Sequence, residues 1–331
     1  MDLDRYIQIH EPAWKRLAQL SKEATKRTGT LHESEVAELI SLYQRSSAQL
    51  SHVRTVYSDP SLVLRLSRIV GEAGVVIYEP RGNPVRAVRL FFTEAFPAAV
   101  WVSRYYILVS ALVFFLPALA FGVWLSNSPA VLDATVPPEM QQLLAESEFR
   151  DYYSSDAAEN FAATVTLNNI WVSILAFSLG LIPVIGPVGI LINNGVNLGI
   201  AAAVMHSAGE AAQFWGLITP HGLLEIAAIV IAGAAGLRIS WAIIAPGDRT
   251  RGKALAEEGL RAVVIIIGLI LCFIVAGIIE GFVTPSGLPT VMRVAIGVAV
   301  LASFIAYVVV LGQRAERQGK TGLPEDLARP W

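Results

Sequence analysis

The sequence predicts an all-α fold, a polytopic membrane helix bundle of about six spans with a helical cytoplasmic N-terminal region. Three observations predict it. Apolar residues collect in runs of about 20 with few charges, which is the length of a bilayer-spanning helix. The runs are continuous rather than alternating, so their backbone groups are satisfied within helices and not in a closed barrel. Only 16% of the 331 residues are charged and 54% are hydrophobic, where soluble domains carry roughly a quarter charged residues.

Composition also removes several function classes. The single cysteine, Cys272, lies inside an apolar run, so neither an intramolecular disulfide nor a cysteine-based metal site is expected. A net charge of -2 with no clustered basic groove gives no sign of a nucleic-acid partner. Residues 1–20 hold Asp2, Asp4, Arg5, Glu11, Lys15 and Arg16 and no apolar signal core, so the first apolar run, near Tyr105, is expected to target and anchor the chain.

Residues 1–104 form the expected cytoplasmic or interfacial region. Thr30, Leu31, His32 and Glu33 fit a capping box, with Glu33 reaching back to the helix start. The helix that follows places Val36, Leu39, Ile40, Tyr43 and Leu50 near one face. Asp59 and Pro60 suit the cap and first turn of a third helix, which runs to about Tyr78 and breaks at residues 79–84. Val85 to Val102 mixes Arg86 and Arg89 with Phe91, Phe92, Phe96 and Trp101, and Arg104 follows. That pattern suits a helix lying in the headgroup region.

The membrane domain is expected over residues 105–312, with spans at about 105–125, 161–181, 188–207, 219–245, 262–283 and 291–312. An acidic loop, 126–159, separates the first two spans, with a short amphipathic helix over Glu139–Tyr152. Ile182 to Pro187 reads as a tight apolar turn or a broken helix. Thr219 is a plausible cap for the fourth span, with Pro220 at its first position. Residues 313–331 form a cytoplasmic tail. Arg104, the basic loop 246–261 and the tail all fall on one side, which the positive-inside rule makes cytoplasmic. Both termini are then cytoplasmic and the acidic loop lies outside.

The residues that bear chemistry concentrate around His221 and Glu225. At helical spacing of four they meet on one face, and Glu225 lies about a turn inside the span, where an unpaired carboxylate is costly. His221 is the expected partner. The pair reads either as a ligand or proton site or as a polar clasp fixing this helix end. His206, Glu210 and Glu280 share the outer level and are candidates to line an outward-facing pocket with them, while Asn168 and Asn169 open the second span. Zinc is not expected, because neither His-Glu-x-x-His nor its inverse occurs. A second set, Gly180, Pro183, Asn194, Gly195 and Gly199, suits close helix packing or a broken-helix substrate site. Arg238 is placed to snorkel to the cytoplasmic side, and Arg293 to face Glu280. No Gly-x-Ser-x-Gly or Walker A segment is present, so no catalytic residue, cofactor or metal is expected.

Taken together, Asn168-Asn169, Gly180, Asn194-Gly195 with Gly199, Pro220-His221-Gly222 with Glu225, and then Gly233 and Gly236 resemble the membrane core of the stage II sporulation protein M family. The helical region 1–104 is similar to the longer, actinobacterial-type members. The resemblance implies a bacterial inner-membrane protein. In endospore formers it implies a scaffold for two peptidoglycan-degrading partners, a lytic transglycosylase and an amidase/endopeptidase, which do the chemistry. The large N-terminal region and the sixth span depart from the shorter sporulation proteins. Three functions are therefore set against each other. The first is a non-enzymatic scaffold whose partners are the bilayer, peptidoglycan-active or other envelope proteins, and a second copy in a homo-oligomer. The second is a transporter or channel with a polar path at His221 and Glu225. The third, ranked last for lack of a nucleophile or metal motif, is an intramembrane hydrolase.

Overall fold

The computed structural model describes residues 2–26, 32–57, 59–78, 84–151 and 155–324. Among the described residues every regular element is helical. The chain divides into two compact units, Met1–Asn83 and Pro84–Trp331.

The first unit holds α1 (Leu3–Lys26), α2 (Glu33–Val56) and α3 (Pro60–Tyr78). Trp14, Leu17 and Leu20 of α1, spaced three apart, close against Leu39, Leu50 and Val53 of α2 and against Leu62, Leu66, Ile69 and Ala73 of α3. The Trp14 indole N–H donates to Gln49 Oε1 at 2.7 Å, so this large ring is buried with its one polar atom satisfied. Arg16 binds Glu38 through both guanidinium arms, at 3.0 and 2.8 Å. Asp59 caps α3 as expected, accepting the Leu62 N–H at 2.8 Å with Pro60 as first helical residue.

Two expectations in this unit change. The reciprocal carboxylate at the start of α2 is Glu35, which accepts the His32 N–H at 2.9 Å; the Glu33 side chain, Thr30 and Leu31 lie outside what the structure describes. Val36 and Ile40 are each 40% exposed. The buried seam of α2 is Leu39, Ser46, Leu50 and Val53, a narrow heptad-like stripe, because only two neighbouring helices cover it. The expected break at 79–83 and the tail residue Arg329 also lie outside the described residues.

The second unit opens with α4 (Pro84–Leu90), a π-helical turn (Phe91–Ala95) and α5 (Phe96–Val102). Residues 95 to 100 are all buried. The Phe96 ring lies where a methyl on Gly268 would sit, Trp101 lies against Gly312, and the Tyr307 hydroxyl donates to Phe92 C=O at 2.5 Å. The expected headgroup-level helix is thus wedged between two spans. Its aromatics cover protein rather than lipid, and residues 84–104 belong with the membrane unit.

Among the described residues, five helices are long and apolar enough to cross a membrane: Arg104–Ser126 (α6), Ile185–Ser207 (α10), Ala211–Ile244 (α11), Arg251–Val283 (α12 and a π-helical end) and Thr290–Arg317 (α13). Between α6 and α10 come α7 (Pro129–Thr135), α8 (Pro138–Asp151) and α9 (Ser155–Ser178). Of the second expected span, Leu167–Leu181 is an apolar stretch made of the end of α9 and a following 3-10 turn, and the side chains of residues 161–166 lie outside those described. The fold is the expected all-α bundle. α11 is its axis, packed on α6, α9, α10, α12 and α13. Residues 228 to 237 of α11 are buried without a break, as a helix surrounded by others must be.

Two element boundaries shift. α11 starts at Ala211, so Pro220 lies inside the helix rather than opening it. There α13 packs directly on the α11 backbone, where a methyl on Gly297 would overlap Pro220. α12 starts at Arg251, so most of the expected polar loop is the first turns of a span.

Candidate functional site

Helix axes approach closely along two lines of small residues, and this draws the polar side chains together. Gly195 and Gly199 of α10 lie on Phe114, Ala118 and Gly122 of α6, where a Cβ would overlap backbone carbonyls. Gly180 meets Gly236, which in turn meets Ala176. Ser110 donates to Val230 C=O at 2.7 Å and Ser240 to Gly180 C=O at 3.0 Å, so the same contacts are tied by buried hydroxyls. Pro183 is exposed in the turn before α10. There Ile185 N–H donates to Pro183 C=O at 2.7 Å and Val184 takes φ 65°, a strained γ-turn conformation for a β-branched residue.

Inside the bundle is a cavity of about 320 Å³. Its polar lining is His221 and Glu225 of α11, Glu280 of the π-helical turn after α12, Asn169 of α9 and Asn194 of α10; Phe114, Leu198 and Leu217 are among its apolar walls. His221, Glu225 and Glu280 are buried, at 6%, 4% and 2% exposure. Asn169 donates its amide to Glu225 Oε2 at 2.8 Å. Glu225 Oε1 has no hydrogen-bond partner among the described residues.

His221 and Glu225 share a helix face and yet do not bond to each other. His221 Nε2 faces Glu280 Oε1 at 3.9 Å, and its Nδ1 lies 3.3 Å from Thr284 Oγ1. The Thr284 hydroxyl has one proton and lies 3.3 Å from Ile279 C=O as donor. His221 thus has Thr284 on its Nδ1 side and Glu280 on its Nε2 side, and the imidazole tautomer sets which partner of the Thr284 contact donates. The i,i+4 pairing yields because each side chain finds a polar partner on a different neighbour, α9 for one and the end of α12 for the other.

Arg293 does not pair with Glu280 as expected. Its guanidinium donates to Thr284 C=O at 2.6 Å and to Thr290 Oγ1 at 3.1 Å, so it ties the start of α13 to the end of α12. His206 and Glu210 are exposed and absent from the cavity lining; His206 opens instead on a separate apolar crevice. Both sit at the α10–α11 turn. Asn168 is exposed, since the helix turns it 100° away from Asn169. Gly222 lines the cavity wall.

The opposite end of α11 carries a second network. Glu258 of α12 accepts from Arg238 at 2.8 Å and from Arg249 at 3.3 Å, and is bonded by Arg261 as well. Arg238 also donates to Val102 C=O at 2.9 Å, and Arg261 to Thr321 C=O at 2.9 Å. Arg238, expected to snorkel to the cytoplasmic side, is instead held by Glu258, and neither Glu258 nor Thr284 stands out in the sequence. A carboxylate followed three residues later by Arg261 at the mouth of an apolar run was the available signal.

With this geometry in place, the comparison with known families is direct. Residues 111–285, more than half of the chain, match the family model described as stage II sporulation protein M. The chain belongs to the stage II sporulation protein M family. Residues 4–79 match a second model, described as a domain of unknown function (DUF8413), and fall within the first compact unit. Two proteins of Methanocaldococcus jannaschii are similar to parts of it. Uncharacterized protein MJ0793 is 32% identical over 98 residues, 29% of this chain and 54% of the relative. Uncharacterized protein MJ0706 is 32% identical over 123 residues, 35% of this chain and 52% of the relative. The chain thus spans about half the length of the curated relatives it matches. No solved structure matches it.

In this stage II sporulation protein M family member, the five polar residues of the cavity all fall in the matched region, while Arg293 and the first unit fall outside it. The cavity offers two carboxylates, an imidazole and two amides, a set able to hold a proton or a small hydrogen-bonding solute. The hydroxyl nearest His221, that of Thr284, is engaged with Ile279 and does not line the cavity.

Proposed function

We propose that this protein is a non-enzymatic scaffold of the bacterial inner membrane that organises envelope partners, among them peptidoglycan-active enzymes. The observation that carries the reading is how its intramembrane polar groups are used. Asn169 with Glu225, His221 with Thr284 and Arg293 with Thr284 each join two different helical elements. Such bonds fix a bundle and its exposed surfaces in one arrangement. The family resemblance supports the same role, and a separate three-helix unit gives it a surface for partners. The basic residues at Arg104, Arg249, Arg251, Lys253 and Arg314 favour cytoplasmic N- and C-termini. The acidic segment between α6 and α9 would then meet partners outside.

The test is a mild-detergent capture with tagged wild type and the His221→Ala/Glu225→Gln variant at matched expression and folding, with partners identified by mass spectrometry. Envelope enzymes retained by the wild type and lost from the variant support the scaffold. A protein that purifies alone in both samples refutes it. One observation favours transport as a second reading: Glu225 Oε1 is unpaired beside a cavity of about 320 Å³. Solute flux in liposomes that Glu225→Gln abolishes would decide for it. A hydrolase remains the least supported reading, since Thr284, whose hydroxyl lies beside His221, does not line the cavity.

A further inference from the structure

A second cavity, of about 410 Å³, lies where α13 leaves the bundle. Arg86 and Arg89 of α4 and Arg314 of α13 line it, with Glu94 and Gln318. The Arg89 carbonyl accepts from the Thr93 hydroxyl at 2.8 Å, and none of the three guanidinium groups has a hydrogen bond or ion pair among the described residues. The one carboxylate of the lining, Glu94, already faces Lys320 Nζ at 3.4 Å. Three arginines without a carboxylate partner therefore line one concavity whose single acidic residue is Glu94. Two other arginines at this end of the bundle meet carboxylates, Arg104 with Glu316 and Arg249 with Glu257.

The setting belongs to the membrane boundary. The spans α6 and α13 respectively begin at Arg104 and end at Arg317. On α4 the arginines alternate with Val85 and Val88, which are 74% and 58% exposed, and Leu90 and Leu311 supply an apolar wall to the cavity. A planar guanidinium fork matches phosphate oxygens two at a time. Basic pockets between helices at this depth suit phosphorylated head groups whose chains continue along apolar walls.

We infer that the pocket framed by Arg86, Arg89 and Arg314 binds a phosphate group, of the kind carried by an anionic phospholipid or by free phosphate. All three arginines are exposed, so their replacement leaves the core intact. The site lies apart from the His221 cavity and stands whether or not the scaffold reading does.

The experiment uses the full chain, delipidated in detergent and then titrated with phosphatidylglycerol, phosphatidylcholine or inorganic phosphate, with bound ligand read by native mass spectrometry. The variants are Arg86→Gln/Arg89→Gln/Arg314→Gln and the charge-preserving Arg86→Lys/Arg89→Lys/Arg314→Lys. A control, Arg251→Gln/Lys253→Gln/Arg317→Gln, removes equal charge from other exposed positions. Far-ultraviolet circular dichroism confirms equal helix content. Wild type and control are expected to retain phosphatidylglycerol, and the glutamine variant to bind it roughly a hundredfold more weakly, at about fivefold for each basic group. The lysine variant should fall between them, because charge remains and the fork is lost. Retention of phosphatidylglycerol undisturbed by excess phosphate identifies a lipid site, and stoichiometric phosphate binding that displaces the lipid identifies a free-phosphate site. Equal binding by wild type and glutamine variant, or equal loss in the control, overturns the inference.

Discussion

The side-chain amide of Asn169 on α9 donates to Glu225 Oε2 on α11 at 2.8 Å, across 56 residues of sequence. It is the hydrogen bond that Glu225 makes inside the bundle, and the second carboxylate oxygen is buried with no hydrogen-bond partner among the described residues. Asn169→Ala should therefore lower thermal stability in detergent, by about 1–3 kcal/mol for a buried acceptor left unmet. Asn168→Ala, one residue away on the exposed side, should stay within about 0.5 kcal/mol. A double-mutant cycle between Asn169→Ala and Glu225→Ala should give a coupling of about 0.6 to 1.7 kcal/mol. Zero coupling would show that the contact is not made.

Glu258 is the hub of the opposite network and is 5% exposed, with Arg261 at 6%. Glu258→Ala leaves buried guanidinium groups without their anion, which costs about 3–5 kcal/mol. Its neighbour Glu257 bonds only Arg249 at the half-open rim, so Glu257→Ala should cost at most about 1 kcal/mol. Equal melting temperatures for the two variants would count against the network.

Helix approach at α6 depends on Gly195, where any Cβ would overlap the Phe114 carbonyl. Gly195→Val should destabilise the bundle by about 1–3 kcal/mol through forced backbone shifts. Gly189→Ala, six residues earlier on the same helix and facing open space, should leave the melting temperature unchanged or raise it. Thermal unfolding of the two variants side by side distinguishes a packing contact from a general helix effect.

Val184 at φ 65° is a strained position for a β-branched side chain. Val184→Gly is expected to raise stability by about 1 kcal/mol, the lower end of what such backbone strain costs. Val184→Ala keeps a Cβ and should give no comparable gain. A melting temperature that falls with glycine would mean the side chain contributes more than its backbone costs.

The three-helix unit should weaken in acid. Hydrogen bonding to Arg65 and the nearby Lys15 hold the Glu11 carboxyl below its ordinary range. The Arg16 hydrogen bond does the same for Glu38, and the Leu62 N–H and Ser61 hydroxyl for Asp59. Each of these folded-state values lies below its unfolded value, so their stabilisation is complete above the unfolded pKa, near 4. It is lost as pH falls through the lower folded values. Amide hydrogen exchange in residues 2–78 of the full chain should accelerate below about pH 4, allowing for the intrinsic rate. In Glu11→Gln/Glu38→Gln that acid dependence should flatten; an unchanged profile would remove these carboxylates from the account.

Much of the fold was written in local pattern. Runs such as 105–125 and 291–312 have the length and hydrophobicity of spans, and Asp59 with Pro60 marks a helix start whatever surrounds it. The family was legible too, because ordered Asn, Gly, Pro, His and Glu positions over 168–236 need no coordinates to be compared. His221, Glu225, Glu280 and Asn169 were legible as candidates, since polar groups inside apolar runs are costly wherever they point.

Only the tertiary structure decided their partners. Spacing places His221 and Glu225 on one helical face, but the choice between bonding each other and reaching outward depends on which helices stand opposite. Here α9 offers Asn169 to one and the end of α12 offers Thr284 and Glu280 to the other. The same holds for Phe96, read as a lipid-facing aromatic and found wedged against Gly268. Sequence by itself determined that this chain crosses a membrane as helices, because length and hydrophobicity are local and the bilayer acts on each segment alone. Which polar groups meet within the bundle was settled by helix packing, a property of residue pairs far apart in the chain.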